Sequence, residues 1–519
     1  MNQANPNGKR LSLLSKAAYG SGDMAFTFGT AITGFYLLIF LTNVVGLSGT
    51  VASAIVFIGF IWDAVTDPIV GYYSDRMRSR FGRRRSLILW SAVPMALSFF
   101  GIFGVSTLIV TLSPEMLGLS SGSAALVMYV KGFLVLVIYL LFYLCYTLAY
   151  IPYIALINDM TESYRERTKL TGARMIATII ATIVAVAVPD LLMGDVTLTH
   201  SGTKFILISA IFGGLMVLIL LFCVLFTKER VPEMPAAKSK FRVYQDFIGC
   251  YKEPQFRKAA LAFMFSLSAI FVLQDTIQYF VNYWLLSPEL FLPLAGSVLV
   301  LGFLSVPFWI FVSNRIGKKL TLILGGLCWI VAFGLFFFLP QLPFQAVGIA
   351  FQDEVYILPL GMIDAMASFP WWGWIAVFIL GMGMGNIHLA AYGMYPDAIS
   401  VLTKDHPEKE GAYFGAASFL QKLGIGFATL LIGPILDLSH YLPKPGSEWF
   451  AALDQAGLSI QDTWLYVQGD PGSPVAIKIM FCVLPVVCLI FAIVSSRGYH
   501  IDQDIKDMER LAESDGKTA

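Results

Sequence analysis

Long apolar stretches separated by short polar breaks recur along almost the whole chain. Uncharged runs such as 205–226 and 86–112 exceed the roughly 20 residues a helix needs to cross the hydrocarbon core of a bilayer. The alternating-polarity strands of an outer-membrane barrel are absent. The pattern predicts about twelve spans, beginning near residues 17, 50, 86, 125, 171, 204, 257, 290, 320, 371, 412 and 474. The polar first 16 residues lead into an apolar stretch too long for a signal peptide, so the first span is expected to be retained. The fold class that follows is an all-α integral membrane protein.

The polar breaks also divide the chain. The basic segment 228–256, with Pro232, Pro235 and Lys238 to Lys240, separates six spans from six. This predicts an N-terminal half over 1–227, a cytoplasmic central loop over 228–256, a C-terminal half over 257–496 and a cytoplasmic tail over 497–519. Phe241, Tyr244, Phe247, Ile248 and Tyr251 give the loop an apolar face, consistent with a helix on the membrane surface, and Ile501, Ile505, Met508 and Leu511 do the same for the tail. An echo links the halves: Ser74-Asp75-Arg76 with Gly82-Arg83-Arg84-Arg85 ends the second span, and Ser313-Asn314-Arg315 with Gly317-Lys318-Lys319 ends the eighth. Such repeats are expected of secondary transporters, which work by alternating access. Two long outward segments, 340–371 and 437–474, read either as lids or as surface decoration.

Composition agrees with burial in lipid: 57% of residues are hydrophobic and 13% charged, against about 25% charged in a soluble domain. The net charge of +1 excludes little, but its placement orients the chain. Lys and Arg cluster after even-numbered spans and are missing from 340–371, so both termini are expected in the cytoplasm, in a plasma membrane or the inner membrane of a bacterium. Cys145, Cys223, Cys250, Cys328, Cys482 and Cys488 fall in spans or on the cytoplasmic side, which argues against disulfides and zinc.

Against this apolar background Asp63 and Asp67 stand out, one helical turn apart in Trp62-Asp63-Ala64-Val65-Thr66-Asp67-Pro68. Each carboxylate costs roughly 2.5–3.5 kcal/mol at a helix centre, and i, i+4 spacing puts both on one face, so a cation is the natural third party. The alternative is a structural pair held by backbone or by Arg174. On the seventh span Gln274, Gln278 and Asn282 recur at i, i+4 and i+8 beside Asp275, a polar stripe that reads as a cavity lining. Counted back from Asn314, the second-half positions matching Asp63 and Asp67 are Gly302 and Val306, which places the cation chemistry in the first half. The glycines of Gly381-Met382-Gly383-Met384-Gly385 and Gly213-Gly214 suggest close helix approach and not nucleotide binding, because no strand precedes them. No nucleophile–base constellation is present, so an enzyme is not expected, nor is a nucleic-acid partner.

Several blocks together resemble a known family. Tyr19-Gly20-Ser21-Gly22-Asp23, Asn43-Val44-Val45-Gly46-Leu47, the Trp62 to Pro68 run, Ser74-Asp75-Arg76 with the basic stretch to Arg85, Ile151-Pro152-Tyr153, Arg165-Glu166-Arg167-Thr168 and Gln421-Lys422 are similar to the glycoside–pentoside–hexuronide:cation symporters of the major facilitator superfamily. Melibiose permease is the best-known relative there. The resemblance implies two pseudo-symmetric six-helix halves and symport coupled to sodium or protons. It assigns the cation to Asp63, Asp67 and Thr147, and a coupling charge network to Arg174, Lys422 and Asp23. Lys422 reads equally as a structural counter-ion and Asp23 as a helix-end charge. It also implies that Asp75, Arg76 and Arg85 act at a cytoplasmic gate.

The substrate positions depart from the pattern. Two carboxylates that hold a galactoside in melibiose permease align with Thr27 and Tyr150, and a stacking Trp aligns with His388. The expected substrate-binding set is Thr27, Tyr150, Gln274, Asp275, Gln278, Asn282, Asn386, His388 and Ser418, with packed core roles as the alternative for Tyr150, Asn386 and His388. The expected function is cation-coupled symport of a sugar or glycoside across the lipid bilayer, with no cofactor beyond sodium or a proton. A lysophospholipid carrier and a non-transporting receptor or scaffold are the alternatives.

Overall fold

The computed structural model describes residues 11–74, 76–77, 79–109, 124–161, 163–193, 201–230, 243–342, 347–351, 354–358, 362–404, 409–441 and 472–502. Twelve helices among these are long and apolar enough to cross a membrane. They run Leu13–Asn43, Gly49–Ser74, Arg83–Ile109, Ala125–Met160, Arg165–Leu192, Gly202–Phe226, Pro254–Trp284, Pro288–Ile316, Lys318–Phe337, Trp371–Leu402, Glu410–Leu438 and Gly472–Ser495, here spans 1 to 12. Many of their large apolar side chains are exposed, Trp90, Phe133, Leu218, Leu304 and Phe491 among them. Exposed apolar surface of this kind suits hydrocarbon as solvent, and the protein is a multi-pass membrane protein.

The chain forms two compact units, whose described residues are 11–230 and 243–502. In unit 1, span 1 packs on spans 5 and 6, span 2 on span 4, and span 3 on spans 4 and 6. Unit 2 repeats the pattern six spans later: span 7 on 11 and 12, span 8 on 10, and span 9 on 10 and 12. The repeat extends to backbone detail. Spans 1 and 7 each widen into a π-helical turn, Thr33–Leu37 and Phe280–Trp284. After span 1, Val45 N–H donates to the Phe40 carbonyl and Leu47 N–H to that of Leu41; after span 7, Leu285 donates to Phe280 and Ser287 to Val281. Gly46 takes φ 75° in the first turn and Leu286 takes φ 55° in the second.

The glycines of span 10 act as the close approaches expected of them. A Cβ at Gly381 would lie 2.6 Å from that of Leu301 on span 8, and Gly383 and Gly385 face Trp329 on span 9 and Ser305 on span 8. In the central segment, the helix Val243–Cys250 differs from the expected surface helix. Phe247 and Cys250 are buried against Phe256, Ile399, Tyr413 and Ala416, and the Tyr251 hydroxyl donates to the Ala416 carbonyl at 2.5 Å. The described part of its apolar face is thus covered by unit 2 except at Ile248, which is largely exposed, while the side chains of Phe241 and Tyr244 lie outside the described residues. The outward segment 340–371 holds a small antiparallel pair, Val347–Phe351 with Glu354–Leu358, and a short helix, Met362–Ser368. Most of 437–474, and the tail positions Ile505, Met508 and Leu511, lie outside the described residues.

Candidate functional site

Asp63 lies on span 2 and is 5% exposed; Thr147 on span 4 is fully buried. The Thr147 hydroxyl donates to Asp63 Oδ1 at 2.7 Å, so two oxygens from separate spans meet. Asp67 follows one turn later and is half-buried. Pro68 lies inside the same helix and has no N–H, which leaves the Ala64 carbonyl without its helical donor. This part of span 2 therefore concentrates carboxylate, hydroxyl and carbonyl oxygens, the ligand types that hard monovalent cations take.

A second buried acid in unit 1 has its own cation. Asp23 on span 1 accepts from Arg174 Nη2 at 3.1 Å and, by a short bond, from the Thr178 hydroxyl one turn further along span 5. Arg174 lies 5.3 Å over the Tyr153 ring, which stacks on Tyr19 at 5.0 Å. The Tyr153 hydroxyl donates to the Tyr19 carbonyl at 2.6 Å. Two donors in this cluster, the Tyr19 hydroxyl and Arg174 Nε–H, are buried with no partner among the described residues. Thr178, Tyr19 and Tyr153 were not among the expected site residues. The i, i+4 spacing of Arg174 and Thr178 was the available signal. Of the expected contacts, Thr27 is half-buried and spends its hydroxyl on the Asp23 carbonyl at 2.9 Å, whereas Tyr150 packs against Phe26 and Tyr146 at 5.1 Å each.

In unit 2 the stripe on span 7 is buried within the helices around it. Asp275 is 5% exposed and accepts from the Thr429 hydroxyl of span 11 at 2.7 Å, and Asn282 Nδ2 donates to Gln278 Oε1 at 3.3 Å. Gln274 is half-buried. Asn386 on span 10 is fully buried against Gly325 of span 9, where a Cβ would come 2.6 Å from its Cγ, and neither of its amide atoms has a partner among the described residues. Ser418 and Lys422 lie half-buried on span 11. His388 is on span 10, and its side chain is outside the described residues.

The ends at which spans 3 and 9 begin carry a charge belt that each unit builds in the same way. Gly82 at φ 102° precedes span 3, and the Glu229 carboxylate accepts from the N–H groups of Arg83, Arg84 and Arg85 at 2.9, 2.9 and 3.1 Å. Gly317 at φ 90° precedes span 9, and Asp502 accepts from Lys319 N–H at 2.9 Å. Arg83 and Arg84 pair with Asp159 at the end of span 4, as Lys318 pairs with Asp397 near the end of span 10. Carboxylates at helix N-termini satisfy orphan donors and the helix dipole together. Of the expected gate residues, Arg85 donates to the Val224 carbonyl at 2.9 and 2.6 Å, tying span 3 to span 6, and Arg76 lies 3.5 Å over the Tyr72 ring. Asp75 is outside the described residues.

Known proteins share this sequence and this fold. An uncharacterized symporter of Synechocystis sp. is 37% identical over 196 residues, 36% of this chain and 33% of the relative. The sodium-dependent lysophosphatidylcholine symporter 1 of Xenopus tropicalis is 22% identical over 98% of this chain and 91% of its own length. The inner membrane symporter YicJ of Escherichia coli is 25% identical over 97% and 95%. Among solved structures, a bacterial homologue of the human lysosomal transporter Spinster superposes with a TM-score of 0.61 at 15% identity, covering 94% of this chain and 97% of that one. A D-xylose-proton symporter gives 0.52, again at 15% identity, over 92% and 96%. These likenesses establish the major facilitator fold, and the family and its structural neighbours are transporters and not enzymes. Residues 18–503 match the MFS/sugar transport protein family, and the chain belongs to that family of membrane transporters.

Proposed function

We propose that this protein is a cation-coupled symporter of a small oxygen-rich solute, a sugar or glycoside, with the coupling cation held at Asp63, Asp67 and Thr147. The observation that carries this reading is the buried hydrogen bond from Thr147 to Asp63 at 2.7 Å, joining oxygens of two apolar spans. A buried carboxylate without a cation is costly, and a bound ion removes that cost. Relatives named for this activity support it: the putative glycoside/cation symporter YagG of Escherichia coli is 25% identical over 92% of the chain. Sodium is favoured over a proton because a proton site needs only the carboxylate, whereas the Thr147 hydroxyl supplies a further oxygen ligand. By linkage, substrate and cation then raise each other's affinity equally. The Lys and Arg distribution puts both termini in the cytoplasm, with the two six-span units as the halves of the carrier, residues 228–256 as their connection and 497–519 as the tail.

A second reading has its own support. The orphan donors Tyr19 hydroxyl and Arg174 Nε–H suit an anionic oxygen such as a lysophospholipid phosphate, and sodium-dependent lysophosphatidylcholine symporters match nearly the whole chain. Uptake into proteoliposomes under an imposed sodium gradient, with radiolabelled glycosides and lysophospholipids in parallel, tests both. Sodium-driven glycoside uptake supports the first reading. Sodium-driven lysophospholipid uptake that strengthens with acyl length, at roughly 0.8 kcal/mol per methylene, replaces it with the second. No sodium-dependent uptake of either removes both.

A further inference from the structure

We propose that Asp275 with Thr429 is a second ion-binding site, confined to unit 2 and built for a proton. It is separate from the cation reading at Asp63 and does not depend on it.

Asp275 is 5% exposed, and its one hydrogen bond comes from the neutral Thr429 hydroxyl to Oδ2 at 2.7 Å. The ion pairs at Asp23, Asp159, Glu166 and Asp397 do not include Asp275. An ionised carboxylate sealed in apolar surroundings with only a hydroxyl for company is expensive, so a positive ligand has to accompany it.

The groups packed around span 7 do not supply that charge. On span 11, Lys422 falls seven residues before Thr429 and Asp437 eight after, about 10 and 12 Å along a helix, and Glu410 and Tyr413 lie further off. On span 12, Lys478 lies 4.0 Å over the ring of Trp284, nine residues and about 13 Å beyond Asp275 on span 7, and Cys482 and Cys488 carry only thiols. On span 10, Asp397 is held by Lys318 and Tyr395 packs on Phe263, twelve residues before Asp275; His388 is on the same span, its side chain outside the described residues. Glu289 and Arg315 sit at opposite ends of span 8. Among the described side chains, Thr429 is the hydrogen-bond partner of Asp275, and no ion pair to it is formed by the others named here.

The local donor set selects among ligands. A sodium ion needs several oxygens, but Gln278, one turn along the same face and 1% exposed, turns its Oε1 to Asn282 and leaves its Nε2 donor buried without a partner. Among the described residues the oxygen that meets Asp275 is the Thr429 hydroxyl, which suffices beside a carboxylic acid and falls short of the ligand number of a sodium ion. A proton from bulk water binds at the uncommitted Oδ1, giving the neutral acid and leaving the Thr429 bond on Oδ2 in place. Its release regenerates the carboxylate. The site takes up and gives back one proton without any change at Asp63.

Infrared difference spectra of the full-length protein in proteoliposomes, recorded between acidic and alkaline pH, test this. The expected result is a carboxylic-acid C=O band that titrates with pH, is lost in Asp275→Asn, persists in Asp63→Asn, and shifts in frequency in Thr429→Val because one hydrogen bond is gone. Thr429→Val carries the test if Asp275→Asn does not fold. A band unchanged in both variants overturns the proposal, as does a band assigned to Asp275 that stays constant at every pH at which the protein remains folded. Sodium added at fixed pH should leave the band intact; its disappearance would make this a sodium site and overturn the assignment to a proton. Failure of sodium-driven uptake with the titrating band intact would instead sink the symport reading alone.

Discussion

At the start of its third span, unit 1 places Gly82 at φ 102° and lets Glu229 accept from three backbone N–H groups; unit 2 places Gly317 at φ 90° and lets Asp502 accept from one. The parts are the same and come from distant points of the sequence. What the two units bury differs far more. Unit 1 holds one acid against an arginine and another against a threonine on span 4; unit 2 holds an acid against a threonine on span 11 and an amide pair beside it. The shared belt is a requirement of the fold, because any helix start has donors to satisfy. The buried charges are under no such requirement, and it is there that the two units diverge.

The largest expected effect breaks that contrast at Asp63. A hydrogen bond to a charged group contributes about 1.5–3 kcal/mol, so Asp63→Asn should weaken cation-driven accumulation roughly tenfold to a hundredfold while substrate exchange between equal pools survives better. Concentrative uptake at the wild-type level in this variant would remove the cation assignment. Next, Arg174→Met leaves Asp23 buried without its cation and should cost about 3 kcal/mol of stability, partly restored by adding Asp23→Asn. Thermal unfolding of purified protein measures both; a double variant no more stable than the single one would show that the pair is not an energetic unit.

Smaller effects sharpen the comparison at the belt and at the outer turns. Glu229→Ala should cost about 1–2 kcal/mol and Asp502→Ala about a third as much, in proportion to the N–H groups each satisfies. Equal losses would argue against the capping account. Smallest is the turn after spans 1 and 7. Gly46→Leu places a side chain at φ 75°, where L-residues lose roughly 1–2 kcal/mol, whereas Leu286→Gly relieves φ 55° and should change the melting temperature little or raise it. A marked fall on Leu286→Gly would mean that the half-buried Leu side chain outweighs its backbone strain.

Much of the fold was legible before any coordinates. Apolar run length is a direct consequence of bilayer thickness, so all twelve spans begin within a few residues of their expected positions. The echo at Gly82 and Gly317 was visible because positive φ restricts the residue type. The apolar face of the central helix was read correctly as apolar but assigned to lipid, since periodicity gives a stripe and not its cover. At the candidate site, the Thr147 hydroxyl donates to Asp63, and Arg174 pairs with Asp23 at 3.1 Å; spacing along the chain gives neither pairing.

The sequence by itself determined that this chain lives in a membrane, how many times it can cross, which family it belongs to and which acids lie where acids are costly. These follow from local quantities: length, polarity and residue type at fixed spacing. Only the tertiary structure decided that Thr178 serves Asp23, that Thr429 serves Asp275, and that Glu229 caps a helix 144 to 146 residues away. A helical period tells which residues share a face but not which face of another helix will meet it; that choice is made by packing, which joins residues far apart in sequence.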